Sequence, residues 1–111
     1  MGKPYFEYCI AEKGFRCKKW KTHFGSKDDI LSKNFHGKTG SAYLFNQCYN
    51  YVTGKADDRE MLTGLHRVSD VYWSGCHIDI GWKYEDAMEE SEKYKIGKVI
   101  IEKYYFEEVK S

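Results

Sequence analysis

Four cysteines, at positions 9, 17, 48 and 76, carry the most informative chemistry in this sequence. Cysteine thiolates are the usual ligands of structural zinc in small domains, where they come in Cys-x-x-Cys pairs. Cys17 and Cys76 each have the spacing of one half of such a pair, but the other halves are Trp20 and Trp73. An indole N–H only donates hydrogen bonds and offers a metal no lone pair. The sequence as written therefore keeps two of the four ligands that two pairs would supply.

The strands that must position these residues are predicted from runs of aromatic and β-branched residues. We expect strands at residues 4–10, from residue 15, and at 41–52, 60–73, 77–84 and 98–109, with Gly64 forming a bulge and Gly37 and Gly40 bracketing a loop. Ser26, followed by acidic residues, predicts one or two helical turns over residues 28–33. A short acidic helix is predicted over residues 85–95, ending near Gly97. The chain is therefore expected to be a single, mainly β domain over residues 1–111, with one or two short helices.

Composition and charge exclude several classes of function. The net charge is +1, which argues against a dedicated nucleic-acid binder. Residues 1–40 hold nine Lys/Arg against four Asp/Glu, and residues 85–111 hold five against eight. The basic run at residues 16–21 is interpreted as a solvated hairpin rim. No apolar stretch approaches the roughly 20 residues of a membrane span. The start has no apolar h-region, so we expect a cytosolic or nuclear protein with reduced thiols.

The spacing of landmarks along the chain resembles that of the Yippee-like proteins over roughly residues 15–102. That family has two Cys-x-x-Cys pairs with fixed positions between and after them, and this sequence fits the pattern at Gly40, Leu44, Asn50, Gly64, Lys95 and Glu102. The strings AYLFN (42–46), MLTGLH (61–66), GWKYE (81–85) and KYKIGKVIIE (93–102) fit as well. The departures are the second cysteine of the first pair and the first cysteine of the second pair, which are Trp20 and Trp73.

This resemblance implies a β-tent, in which two antiparallel sheets are joined at a pair of zinc knuckles with one zinc per chain. Cys17 and Cys76 are then the surviving metal-ligand positions. The fold is also similar to that of the cereblon domain, in which a Gly-Trp-Lys-Phe strand forms one wall of an aromatic cage. Residues 81–84 resemble that strand, so Trp82 and Tyr84 are candidate ligand-binding residues. The alternative for both is packing between the sheets.

Three alternatives follow for the metal site. Zinc is retained with His23 or His77 as substitute ligands, although neither lies at a usual ligand position. Alternatively, the metal is absent, the indoles fill its space, and Cys17 and Cys76 form a disulfide where the compartment allows it. In the third alternative the cell inserts cysteine at positions 20 and 73, because Cys and Trp codons differ only in the third base and UGA is read differently among genetic codes.

The favoured function is a non-enzymatic protein-interaction module. The resemblance implies a role in cell proliferation and division, a nuclear and cytoplasmic location that includes the spindle or centrosome, and protein partners such as a multi-subunit ubiquitin ligase. No nucleophile–base pair is visible, and nothing pairs Asp79 with Glu85 as general acid and base. The alternative is a small-molecule binder or a methionine-sulfoxide-reductase-like enzyme on the same fold. Its central cysteine would be Cys48, which we expect to be buried, while His36 and His66 are expected to be structural.

Overall fold

The computed structural model describes residues 14–19, 23–73 and 78–109. The predicted strand at residues 4–10 lies outside these ranges, as do Cys9, Trp20, Cys76 and His77. Within them, no helix combines the length and apolar character needed to cross a membrane.

The described residues form two antiparallel sheets and three short 3₁₀ helices. The strands are β1 (Gly14–Cys17), β2 (His23–Ser26), β3 (Ile30–Gly37), β4 (Gly40–Phe45), β5 (Tyr51–Thr53), β6 (Asp57–Met61), β7 (Gly64–Trp73), β8 (Asp79–Ala87), β9 (Val99–Glu102) and β10 (Phe106–Val109). One sheet has the order β10-β1-β2, and the other has the order β3-β4-β9-β8-β7-β5, with β6 also pairing with β7. The 3₁₀ helices are Lys27–Asp29, Glu90–Lys95 and Lys103–Tyr105. The predicted two-sheet, mainly β fold is confirmed.

Aromatic side chains fill the space between the two sheets. Phe15, Phe24 and Phe106 of the three-stranded sheet pack against Phe45 and Trp73 of the larger sheet. The centroid distances are 4.5 Å for Phe24–Trp73 and 5.7 Å for Phe15–Phe45. Each such ring pair contributes about 0.5–1.5 kcal/mol beyond its buried area. A sheet of three four-residue strands is marginal alone, so this aromatic joint holds it in place.

The larger sheet has a second buried cluster on its other face. Successive side chains of a strand point to opposite faces. In β9, Val99 and Ile101 pack with the aromatic joint in the core between the sheets, whereas Ile100 belongs to the second cluster. That second cluster includes Tyr84, with Trp82 packed against it. The alternative that Trp82 and Tyr84 pack between the sheets is therefore wrong, because both side chains lie on the face turned away from the three-stranded sheet.

Residues 41–52 and 60–73, each predicted as one long strand, are each divided in two. The stretch 41–52 ends as β4 at Phe45, after which the Asn46 N–H donates to the Asp29 carbonyl oxygen. It resumes as β5 after Asn50, which has a left-handed φ of 58°. The stretch 60–73 is a hairpin, in which residues 62–63 turn between Met61 and Gly64. Gly64 has φ of 113°, a conformation that glycine adopts readily. It therefore closes a turn and does not form the predicted bulge.

The predicted helices are shorter than expected. Ser26 caps a helix as predicted, its Oγ accepting from the backbone N–H of Asp28, but that helix ends at Asp29 and β3 begins at Ile30. The acidic segment continues β8 to Ala87 before its 3₁₀ helix, and Gly97 follows with φ of 84°. The last predicted strand is also divided, because residues 103–105 carry the chain from β9 to β10 in the other sheet.

Gly81 is a position where the sheet tolerates no side chain. A Cβ there would lie 1.9 Å from the backbone oxygen of Ile100 on β9. We expect Gly81→Ala to destabilise the fold by about 1–3 kcal/mol or more, because a backbone atom cannot move aside as a side chain can. The matched control is Gly54→Ala, whose Cβ would make ordinary contacts with the Tyr72 side chain at 3.6 Å. Guanidinium unfolding checks both variants, and equal midpoints would contradict the expectation.

Candidate functional site

Trp82 lines an open groove of about 340 Å³ on the larger sheet. The groove crosses the sheet from the β3–β4 hairpin to β6, with Trp82 and Met61 as its apolar surfaces. Carboxylates of Asp70, Asp79 and Glu102 lie along it. An apolar surface with a few placed polar groups is typical of ligand sites.

Each carboxylate of the groove is held by a partner. Oε1 of Glu102, a residue only 3% exposed, accepts from the backbone N–H and the hydroxyl of Thr39 at 2.8 and 2.5 Å. Asp70 accepts from Arg59 at 2.9 Å, and Asp79 lies 3.5 Å from the Lys38 ammonium. Burial acts to lower the pKa of Arg59, but its hydrogen bond to Asp70 and the surrounding carboxylates leave that pKa raised. The groove therefore presents fixed charges of both signs.

Tyr84 belongs to the buried cluster against which Trp82 packs, and it is not among the described residues that line the groove. The two rings meet edge to face with centroids 6.4 Å apart, and Tyr84 is 2% exposed. The Tyr84 ring instead packs with the buried Lys95, whose Nζ lies 5.2 Å from its centroid and 2.6 Å from Glu92 Oε1. The structure thus places Trp82 where a ligand can contact it and Tyr84 where it supports the sheet.

The groove offers no arrangement for nucleophilic catalysis among its described residues. Neither cysteine nor histidine lines it. Cys48 is buried, as predicted, and lies in the aromatic joint on the other face of the sheet. His66 is buried and its Nδ1 lies 2.9 Å from the Gly64 carbonyl oxygen, which confirms its structural role. Asp79 and Glu85 have separate partners, because Glu85 accepts from Ser69 at 2.9 Å.

The predicted metal positions lie at the ends of two strands. Cys17 ends β1 and Trp73 ends β7, and both line an apolar cavity of about 300 Å³ together with Ile80 and Tyr104. Trp73 is 1% exposed and its indole Nε1 has no hydrogen-bond partner among the described residues. The structure therefore brings Cys17 near Trp73, as the knuckle pattern requires.

The described residues do not fit a four-thiolate zinc site. An indole buried against Phe24 stands at position 73, and it cannot ligate a metal. No group of three potential ligands occurs within the described part of the chain. The alternatives that involve Cys76, His77 or Trp20 stay predictions, since these residues lie outside that part. The intact mass of the protein from its native host distinguishes tryptophan from cysteine at positions 20 and 73.

Comparison with known proteins assigns the family. Protein yippee-like 3 of Danio rerio is 47% identical over 100 residues, covering 90% of this chain and 82% of that protein. A yippee-like protein of Arabidopsis thaliana is 51% identical over 88 residues, covering 79% and 73%. The crystal structure of the Mis18 'Yippee-like' domain matches with a TM-score of 0.67 at 12% identity, covering 89% of this chain and 96% of that one. No family model matches. The chain belongs to the Yippee-like family.

Sequence reasoning missed most of the groove. Among the residues of the groove, only Trp82 is predicted to bind a ligand. Met61, Arg59 and Asp70 come from β6 and β7, whereas the sequence predicts a single strand over residues 60–73. The signal that could have found them is Gly64 itself, because a glycine in a short loop between two strand-forming runs can indicate a hairpin. Glu102 was noted for its spacing alone.

Truncation of Trp73 tests the aromatic joint. We expect Trp73→Ala to lower the free energy of unfolding by about 3–5 kcal/mol, because it leaves a large cavity against Phe24. Trp73→Phe retains part of the ring contact and removes the unpaired indole N–H, so its loss should be smaller. The half-buried Trp82 is the matched control, and Trp82→Ala should cost less than Trp73→Ala in denaturant unfolding. A larger loss of unfolding free energy for Trp82→Ala than for Trp73→Ala would contradict the stabilising role of the aromatic joint.

The buried phenol of Tyr84 is expected to make the fold less stable in alkali. Burial raises the pKa of its phenol above the ordinary value. The folded state therefore favours the neutral phenol. The resulting contribution to the free energy of unfolding is fully present below the unfolded pKa of about 10, and it is lost as pH rises through the higher folded pKa. Tyr84→Phe should therefore flatten the decline of the unfolding free energy above pH 10. A decline equally steep in the variant would show that Tyr84 does not contribute to it.

Proposed function

We propose that this Yippee-like protein is a non-enzymatic module that binds other proteins through the Trp82 groove. The observation that supports this most is the groove itself, an open site with half-buried apolar side chains, fixed charges of both signs and no nucleophile–base pair among its described residues. A peptide side chain stacked on Trp82 would be flanked by Asp70 and Asp79, which can orient its polar groups.

Membership of the family supports the module class but does not identify the partner. On the family resemblance we include a multi-subunit ubiquitin ligase among the proposed partners, and a nuclear and cytoplasmic location with the spindle or centrosome. The sulfoxide-reductase alternative has little support, because Cys48 lies across the sheet from the groove. Small-molecule binding at Trp82 uses the same groove and is the second candidate.

We also propose that the chain as written folds without zinc. A structural zinc in small zinc-finger peptides contributes on the order of 10 kcal/mol to folding, and half of the thiolate ligands are replaced by indoles in this sequence. The burial of Trp73 against Phe24 supports the replacement of a metal joint by an aromatic one.

Affinity capture from the native host tests the binding function. Immobilised wild-type protein should retain specific proteins that Trp82→Ala loses, because the indole supplies the main apolar contact of the groove. Tyr104→Ala is the matched control, since Tyr104 is an exposed aromatic residue outside the groove. Circular dichroism establishes that each variant is folded. Equal capture by wild type and Trp82→Ala would contradict binding through the groove.

The small-molecule candidate is tested on the same variants. Tryptophan fluorescence of the wild-type protein is followed during titration with a cyclic imide or uridine. A saturable change that disappears in Trp82→Ala would favour a small-molecule receptor over a protein-binding module. A flat titration would remove that candidate.

A further inference from the structure

Leu62 is the most exposed large apolar residue in the described part of the chain. It stands in the two-residue turn between β6 and β7 and has 107% of the accessibility of a free side chain. Hairpin turns of this length favour Asn, Asp and Gly. A leucine held clear of the protein contributes nothing to the core, so its position is unexplained by folding.

Further apolar side chains stand at the same end of the sheet. The Met88 backbone N–H donates to the Leu65 carbonyl oxygen at 3.0 Å, which fixes Met88 beside the hairpin, and Met88 is 69% exposed. Lys95 connects the hairpin to Tyr94, because its Nζ lies 3.4 Å from Thr63 Oγ1 and 5.9 Å from the Tyr94 ring centroid. Leu62, Met88 and Tyr94 are called the Leu62 corner below.

Exposed carboxylates stand near the Leu62 corner, together with Arg67, which lines a cavity with Met88 and pairs with Asp58 at 3.7 Å. Glu60, Glu89 and Glu90 are exposed and have no ion pair within the described part of the chain. Glu89 lies against the hairpin, since its Cγ is 3.0 Å from the place of a Cβ on Gly64.

Nearby lysines are already engaged. The Lys95 ammonium is 2.6 Å from Glu92 and buried, and the Lys93 ammonium donates to the Ala87 carbonyl oxygen at 2.8 Å. Neither lysine forms an ion pair with Glu60 or Glu90 in the described part of the chain. The corner therefore combines exposed apolar side chains with exposed, negatively charged carboxylates.

We propose that the Leu62 corner docks a basic amphipathic segment of a partner protein. Apolar side chains of the segment would contact Leu62 and Met88, and its Lys or Arg side chains would pair with Glu60, Glu89 and Glu90. Apolar anchors within a charged rim are the usual anatomy of such contacts, and charge complementarity of this kind speeds association and makes it sensitive to salt. This inference rests on the proposed function of a protein-binding module, but it assigns a surface distinct from the Trp82 groove.

The test uses a synthetic fluorescein-labelled peptide of Leu and Lys that forms an amphipathic helix. Anisotropy should show that it binds the full chain with an affinity that falls as salt is raised. A peptide with Glu in place of Lys should not bind, and a scrambled Leu/Lys peptide of the same composition should bind at least about tenfold more weakly.

Variants locate the binding surface. Leu62→Ser with Met88→Ser should weaken binding at least about tenfold, and Glu89→Lys with Glu90→Lys should weaken it and remove the salt dependence. The matched control is Leu31→Ser, since Leu31 is 51% exposed on β3 at the opposite edge of the sheet. Binding that is absent in the wild type, or equal in wild type and Leu62→Ser/Met88→Ser, would overturn the proposal.

Self-association is a distinct outcome. If analytical ultracentrifugation shows a wild-type dimer that Leu62→Ser abolishes, the corner binds a second copy of the chain and the proposed partner is wrong. Trp82→Ala should leave peptide binding at the corner unchanged. If the peptide does not bind at the Leu62 corner but protein capture still depends on Trp82, the corner proposal is rejected and the proposed function of the groove is not.

Discussion

The contact between Trp73 and Phe24, with centroids 4.5 Å apart, is the interaction on which the rest of the structure depends. The three-stranded sheet has strands of only four residues, so it is marginal without an apolar face packed against another element. It is joined to the larger sheet by the aromatic joint and by two connections, residues 27–29 between β2 and β3 and residues 103–105 between β9 and β10. At position 73, where the family resemblance predicts a metal-ligating cysteine, the chain as written has an indole buried in the core.

The joint also determines where the candidate binding surfaces stand. Strand β9 is buried on both faces, with Val99 and Ile101 in the joint and Ile100 in the second cluster. The same strand ends in Glu102, which is fixed by Thr39 beside the groove. Trp82 lies on the neighbouring strand β8 and is held over the groove by the pairing of β8 with β9. The groove thus lies on a sheet whose other face is fixed by aromatic packing, which provides the rigid support that a recognition site needs.

The sequence was sufficient for the architecture because the spacing of its landmarks matches that of a known family. It was less informative about strand ends. In the interruption of residues 41–52, the left-handed Asn50 donates its side-chain amide to the His23 carbonyl oxygen at 2.8 Å. No periodicity within the strand encodes that long-range contact. The groove was predicted only through Trp82, because Arg59, Asp70 and Glu102 come together by pairing of distant strands. The Leu62 corner could not be foreseen either, since exposure of a leucine is a property of the folded turn.

The most direct test of the account measures unfolding of the purified chain, with tryptophan at positions 20 and 73, in guanidinium with and without a strong chelator. Zinc per chain is determined on the same sample. The aromatic joint predicts substoichiometric zinc and the same unfolding midpoint in both conditions. One zinc per chain together with a large fall of the midpoint in chelator would contradict it, because the two sheets would then be held by a metal.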